Sequence, residues 1–205
     1  MVDLYPSRCQ NQPGFTPRID PVVHNAWHEG APLRPAQTQQ FERDGYLMLD
    51  NLFTADEVSA LQDEAAKLLA DPRGHASETV ITEPGEQEVR SIFMIHQQSV
   101  IMARLTADER LAGIARFLLG GDVYTHQSRL NYKPGFHGKE FYWHSDFETW
   151  HVEDGMPRMR ALSFSVLLSH NTVHNGPLML IPGSHKIFLR CVGETPENHY
   201  QMSLK

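Results

Sequence analysis

A chain of 205 residues is long enough for one large domain with a sizeable core. Its 40% hydrophobic and 21% charged residues are ordinary for a globular protein, and a net charge of −7 without any Lys/Arg cluster argues against a phosphate-tracking nucleic-acid surface. No apolar run approaches membrane-spanning length and no basic-then-apolar signal pattern opens the chain; the two cysteines, Cys9 and Cys191, form no disulfide framework, so reduced thiols in a cytoplasmic protein are expected.

Residues 1–36 hold Pro6, Pro13, Pro17, Pro21, Pro32 and Pro35 with little periodicity, which reads as an extended N-terminal arm laid over a domain surface. A helical buttress is expected over 37–121. It starts with a short helix from Thr38 to Asp44 stopped by Gly45, then a short strand over Tyr46–Asp50. Thr54-Ala-Asp-Glu57 has the form of a capping box, with Phe53 and Val58 placed as a hydrophobic staple. The helix it opens carries Val58, Leu61, Ala65 and Leu68 on one face and stops before Pro72. Thr106-Ala-Asp-Glu109 reads as a second capping box, opening a helix with Leu111, Ile114 and Leu118 inward and Gly120-Gly121 as its stop. Between the helices, Gly74 to Glu88 reads as a mobile loop and Val89 to Ile95 as a strand.

From Asp122 the pattern turns to β. Over Val123–Lys133, alternation puts Gln127, Arg129, Asn131 and Lys133 on one face and His126, Ser128, Leu130 and Tyr132 on the other. Four polar residues on one strand face mean either a solvated surface or the polar lining of a ligand cavity in a barrel. Pro134-Gly135 turns the chain into Lys139–Asp146, where the strand period aligns Tyr142, His144 and Asp146. Glu153 to Pro157 reads as a loop, with Glu148, Glu153 and Asp154 as loop or capping residues. Leu162–Leu168 alternates as a strand, and Leu178–Ile181 is the last strand, closed by Pro182-Gly183. Helices followed by short antiparallel strands suggest a helix-buttressed sandwich or jelly roll.

The segment Phe141 to His151 is the densest in aromatic, imidazole and carboxylate side chains. His144-Ser-Asp146 supplies two of the three ligands of a two-His, one-carboxylate iron site, because strand residues i and i+2 point the same way. In a chain this rich in both residue types a single His-x-Asp carries a high risk of being a chance match, so a hydrogen-bonded barrel histidine followed by a turn aspartate stands beside the metal reading. His185, after Pro-Gly-Ser at a strand end, reads as a structural turn residue, and Trp143 as packed away from any metal.

Three blocks carry a resemblance: Gln127 to Gly135, Phe141 to Pro157, and Pro182-Gly-Ser-His185. They closely resemble the ectoine hydroxylases, in the phytanoyl-CoA dioxygenase branch of the Fe(II)/2-oxoglutarate oxygenases. The likeness extends over Leu4-Tyr-Pro-Ser-Arg8, the first long helix and Cys191 to Thr195. It implies a mainly β fold with flanking helices, a double-stranded β-helix (jelly roll, cupin-like) spanning 1–205 as a single domain, with 122–205 its first part. It implies hydroxylation of ectoine to 5-hydroxyectoine during osmotic stress, with Fe(II) as cofactor, 2-oxoglutarate and O₂ as cosubstrates, and release of succinate and CO₂. By position, the resemblance makes His144 and Asp146 iron ligands, Lys133 and Asn131 2-oxoglutarate contacts, and Gln127, Arg129 and Trp150 ectoine contacts. It also implies a homodimer.

In this family later strands carry the second iron histidine and an arginine for 2-oxoglutarate, neither of which is recognisable before Lys205. The expectation is therefore a jelly roll lacking its C-terminal strands, with two of three iron ligands and little or no hydroxylase activity from these residues alone. Two alternatives stay open: a related oxygenase acting on another small polar metabolite, and a non-catalytic cupin-like module that binds a solute. A zinc hydrolase fits less well, since no general base is placed beside a His-rich site.

Overall fold

The computed structural model describes residues 2–9, 12–71, 77–83, 88–133, 135, 141 and 143–192. Among these residues, five short strands and six helices make up the regular structure, apart from two single-turn 3₁₀ segments. Two small antiparallel sheets are flanked by the helices. Helix outweighs strand among the described residues, so the expected mainly β content is not what they show.

Helix α1 (Pro35–Asp44) begins three residues earlier than the pattern predicts, because Pro35 suits a first helical position. It ends at Gly45, whose φ of 84° is the left-handed conformation a helix stop requires. Helix α2 (Ala55–Ala70) opens on the expected capping box: the Glu57 N–H donates to Thr54 Oγ1, and the Thr54 N–H donates to the Glu57 carboxylate. Its buried face is Leu61, Ala65 and Leu68. Phe53, expected as one half of a staple, lies under the Arg110 guanidinium, 4.3 Å from its ring centre.

Several expectations need correcting. Tyr46–Asp50 forms no strand. Its alternation is real, since Leu47 and Leu49 pack inward and Met48 is 63% exposed, but no strand among the described residues completes a ladder. The proposed mobile loop contains a 3₁₀ turn and strand β2 (Val80–Thr82), hydrogen-bonded to β3 (Val89–Phe93); Gly74–Ala76 and residues 84–87 lie outside the described residues. Helices α3 (Ile95–Gln98) and α4 (Val100–Thr106) escaped the sequence reading. Because α4 runs through Thr106, that residue cannot cap the next helix; Asp108 caps α5 (Glu109–Leu119), its carboxylate accepting from the Arg110 N–H. The inward face of α5 is as expected, with Leu111, Ile114 and Leu118 buried.

Strand β4 (Arg129–Asn131) pairs with β3 in the register Ser91↔Asn131, Ile92↔Leu130 and Phe93↔Arg129. It is far shorter than the alternating run of Val123–Lys133. Leu130 turns onto the cluster of Leu61, Leu68, Ile92 and Met102, which leaves Arg129 and Asn131 on the opposite face. Leu162–Leu168 and Leu178–Ile181 have no ladder partner among the described residues, so neither forms the expected strand. Only the ends of the first keep the expected face: Leu162 and Leu168 pack onto separate core clusters, while Phe164 between them is 38% exposed.

The N-terminal arm is built into the core rather than laid over it. Tyr5 is fully buried against Phe147, Met159 and Phe188. Strand β1 (Gly14–Pro17) pairs antiparallel with β5 (Ile187–Arg190), joining the two ends of the described chain. His185 has the structural role expected of it: Nε2 donates to the Glu42 carbonyl, tying the turn before β5 to α1.

Candidate metal and cosubstrate site

The central stretch departs most from its expected form. Strand geometry does not reach Asp146. Instead Ser145 is extended and stands at the N-cap position of α6 (Asp146–Asp154), without a side-chain capping hydrogen bond, and Asp146 is the first helical residue. An acidic first turn, Asp146 and Glu148, suits the positive end of the helix, and His151 lies in its last turn. Gly155, at φ 71°, closes the helix two residues into the expected loop, so Glu153 and Asp154 are helical, and the Met156 N–H reaches back to the Trp150 carbonyl. Tyr142 and most of the approach from Pro134 to Glu140 lie outside the described residues.

His144 and Asp146 nevertheless meet. His144 Nε2 stands 3.3 Å from Asp146 Oδ1, and the two side chains are 35% and 36% exposed. A second contact reaches the carboxylate from Ser163, whose Oγ lies 3.4 Å from Oδ2. The His144 imidazole holds Asp146 below the usual carboxylate range against the opposing effect of burial, with smaller help from the positive charge of Arg129 and the Ser163 hydroxyl. Asp146 is therefore an anion at neutral pH, the form in which a carboxylate binds a metal. Among the described residues no group of three or more His, Cys, Asp or Glu side chains could hold a metal ion. One imidazole and one carboxylate with accessible donor atoms are a fitting partial set for iron(II).

Trp150 joins this site by helical rather than strand spacing. Residues i and i+4 share a helix face, so the indole rises on the same side of α6 as Asp146. Its ring meets His126 edge-on, centroids 5.3 Å apart at 72°, and His126 Nε2 is 3.0 Å from Asp154 Oδ2. Neither His126 nor Asp154 was marked as part of a site by the sequence. The helical i+4 step from Trp150 to Asp154 is the signal that would have found that partner once α6 was read as a helix.

The polar face of β4 is held from below. Ser91 Oγ donates to Asn131 Oδ1 at 2.9 Å, fixing the orientation of that amide. Tyr132 N–H donates to the Arg90 carbonyl at 2.9 Å, extending the ladder one residue past β4. Lys133 folds over Gly176: a Cβ on that glycine would stand 2.6 Å from the lysine Nζ. Phe141 sits beneath the Arg90 guanidinium, 3.7 Å from its ring centre, and Arg90 in turn pairs with the buried Glu83 at 2.9 Å. Gln127 is exposed just before β4 and Lys133 just after it.

Glu148 is the clearest miss. Expected in a loop or cap, it is instead wholly buried and held by the Arg8 guanidinium at 2.9 Å.

Residues 41–203 match the phytanoyl-CoA dioxygenase (PhyH) family. The chain belongs to that family. Among family relatives, the ectoine dioxygenase of Sphingopyxis alaskensis is 64% identical over 205 residues, covering all of this chain and 67% of the relative. That of Stutzerimonas stutzeri is 59% identical over 203 residues, covering 99% of this chain and 67% of the relative. The chain thus spans about two thirds of the length of these curated relatives. A crystal structure of EctD from S. alaskensis with 2-oxoglutarate and 5-hydroxyectoine superposes with a TM-score of 0.91 at 62% identity, covering 96% of this chain and 70% of that one. A second, of the same protein with bound Fe, gives 0.90 at 62% identity over 94% of this chain and 69% of that one. No helix among the described residues is long and apolar enough to cross a membrane.

Proposed function

We propose that this phytanoyl-CoA dioxygenase family member hydroxylates ectoine to 5-hydroxyectoine in an Fe(II)- and 2-oxoglutarate-dependent reaction that releases succinate and CO₂. The observation that carries the reading is its 64% identity, over its whole length, to an ectoine dioxygenase. The pairing of His144 with an anionic Asp146 supports it.

In this reading His144 and Asp146 hold the iron as two of three protein ligands. Bound iron(II) supplies open coordination positions for 2-oxoglutarate and O₂. Every other contribution comes from the chain itself. Lys133 offers a point charge to the dicarboxylate, and Asn131, locked by Ser91, hydrogen-bonds it. Gln127 and Arg129 bind ectoine, a small zwitterion with little apolar surface, through hydrogen bonds and charge rather than buried area. Trp150 covers a face of the ectoine ring, where delocalised positive charge adds a cation–π attraction of about 0.5–2 kcal/mol. The sheets and flanking helices are read as part of a double-stranded β-helix, in a cytoplasmic homodimer.

The test is aerobic turnover with Fe(II), 2-oxoglutarate and ectoine, in a chain spanning the full length of these relatives. One succinate for each 5-hydroxyectoine is expected. Succinate released in response to a different solute, and not to ectoine, would transfer the reading to another small polar substrate.

A further inference from the structure

Helix α6 has two working faces. One carries Asp146 and Trp150; the other, with Phe147, Glu148 and His151, is gripped by the N-terminal arm. Asp3, Tyr5, Ser7 and Arg8 all reach that rear face. His151 Nε2 lies 3.0 Å from Asp3 Oδ1, and the Tyr5 ring meets Phe147 edge-on at 5.4 Å. Ser7 Oγ donates to Glu148 Oε1 at 2.6 Å. Arg8 forks onto the same carboxylate, Nε to Oε1 at 3.1 Å and Nη2 to Oε2 at 2.9 Å. Its remaining arm, Nη1, donates to Glu153 Oε1 at 2.9 Å, more than a turn further along α6. The arm is itself anchored: Arg8 N–H donates to the Cys191 carbonyl, and Cys191 N–H donates to Ser7 Oγ.

Two features set this apart from ordinary packing. Glu148 is fully buried, and a buried carboxylate is tolerated only with charge-paired, saturated hydrogen bonding. Arg8 also has a φ of 57°, a left-handed backbone that a non-glycine residue keeps only where its surroundings over-determine it. A forked guanidinium with contacts at two heights along a helix fixes both the rotation and the tilt of that helix. A greasy contact fixes neither as tightly, because dispersion has no direction.

We propose that Arg8 is a positioning residue, setting through Glu148 and Glu153 the angle at which α6 presents Asp146 and Trp150. The inference rests on the functional reading above. Rotation of this short helix moves the metal-ligand carboxylate and the ectoine-covering indole together. Its loss therefore shows as weaker metal binding and as 2-oxoglutarate consumption detached from hydroxylation.

The deciding variant is Arg8→Lys, made in the full-length chain. It keeps a positive charge against Glu148, so the carboxylate is not orphaned, but an ammonium cannot fork onto Glu148 and reach Glu153 at once. Mn(II) affinity is read by electron paramagnetic resonance, coupling by the ratio of succinate to 5-hydroxyectoine, and folding by circular dichroism. Expected is a folded variant binding Mn(II) roughly tenfold more weakly and making more than one succinate per 5-hydroxyectoine. A variant matching the wild type in both readings overturns the proposal. So does one with only a lowered melting temperature, and so does a wild-type chain that fails to bind Mn(II). Arg8→Met/Glu148→Met, which removes both charges and leaves apolar bulk, should shift both readings the same way; wild-type values in that folded double variant also overturn it. If the wild-type chain forms no 5-hydroxyectoine, the functional reading fails, while the Mn(II) comparison still decides the role of Arg8.

Discussion

The side chain of Lys133 occupies the space where a Cβ on Gly176 would stand, 2.6 Å from both Cδ and Nζ. Gly176, at φ 71°, is thus constrained twice, by its left-handed backbone and by the lysine lying on it. Gly176→Ala should push the ammonium away from the face it shares with Asn131. The expected outcome is a KM for 2-oxoglutarate raised about tenfold, from loss of a charged contact worth about 1.5 kcal/mol, with the KM for ectoine little changed. Steady-state kinetics varying each substrate in turn checks it, and a matching rise in both would contradict the assignment of Lys133 to the cosubstrate.

Ser91 lies buried beneath Asn131 and donates to its side-chain oxygen at 2.9 Å. Ser91→Ala frees that amide to rotate while removing only one small hydroxyl from the core. The same 2-oxoglutarate titration should show a weakening of about threefold to tenfold, the ordinary worth of one hydrogen bond. Melting temperature should fall by no more than a few degrees.

Trp150 is expected to act on ectoine and not on the cosubstrate. Trp150→Ala removes the indole that meets His126 edge-on and should weaken ectoine binding by about twofold to thirtyfold, the range of one cation–π contact. Calorimetric titration with ectoine, in the presence of 2-oxoglutarate, measures this directly.

Stability at acid pH should depend on the α2 cap. Glu57 is held down to about 2 by its hydrogen bonds to Arg110 first and to the Thr54 N–H second. A depressed carboxylate contributes stability that is complete above its unfolded value near 4.5 and is lost as pH falls toward 2. Glu57→Gln should therefore melt below the wild type at pH 7, with the difference vanishing as the pH approaches 2. Thr54→Ala removes the other half of the cap and should cost about 1 kcal/mol at either pH, or a few degrees of melting temperature.

How much of this was legible in the sequence depended on whether the deciding forces were local. The α2 cap, the Gly45 and Gly120 stops and the buried stripe of α5 follow from contacts within a turn or two, and each stands as expected. Strand assignments fared worse, because a strand needs a partner that alternation cannot name. Leu47, Leu49, Leu162 and Leu168 all turn inward, yet none lies in a ladder among the described residues. At the candidate site the residue types were readable, but their spacing was taken for a strand. Asp146 and Trp150 share a side because they are one helical step apart, and the acidic first turn that favours a helix there was available in the sequence. Glu148 could not have been read. Its burial is created by Ser7 and Arg8, some 140 residues away along the chain.

The most direct test of the whole account is succinate and 5-hydroxyectoine measured together in the full-length chain and in its His144→Ala and Asp146→Ala variants. The account predicts one succinate per 5-hydroxyectoine for the unaltered chain. For each variant it predicts a fall of at least about a hundredfold in both products, with the fold intact by circular dichroism. Ectoine hydroxylation that survives in either folded variant would contradict it.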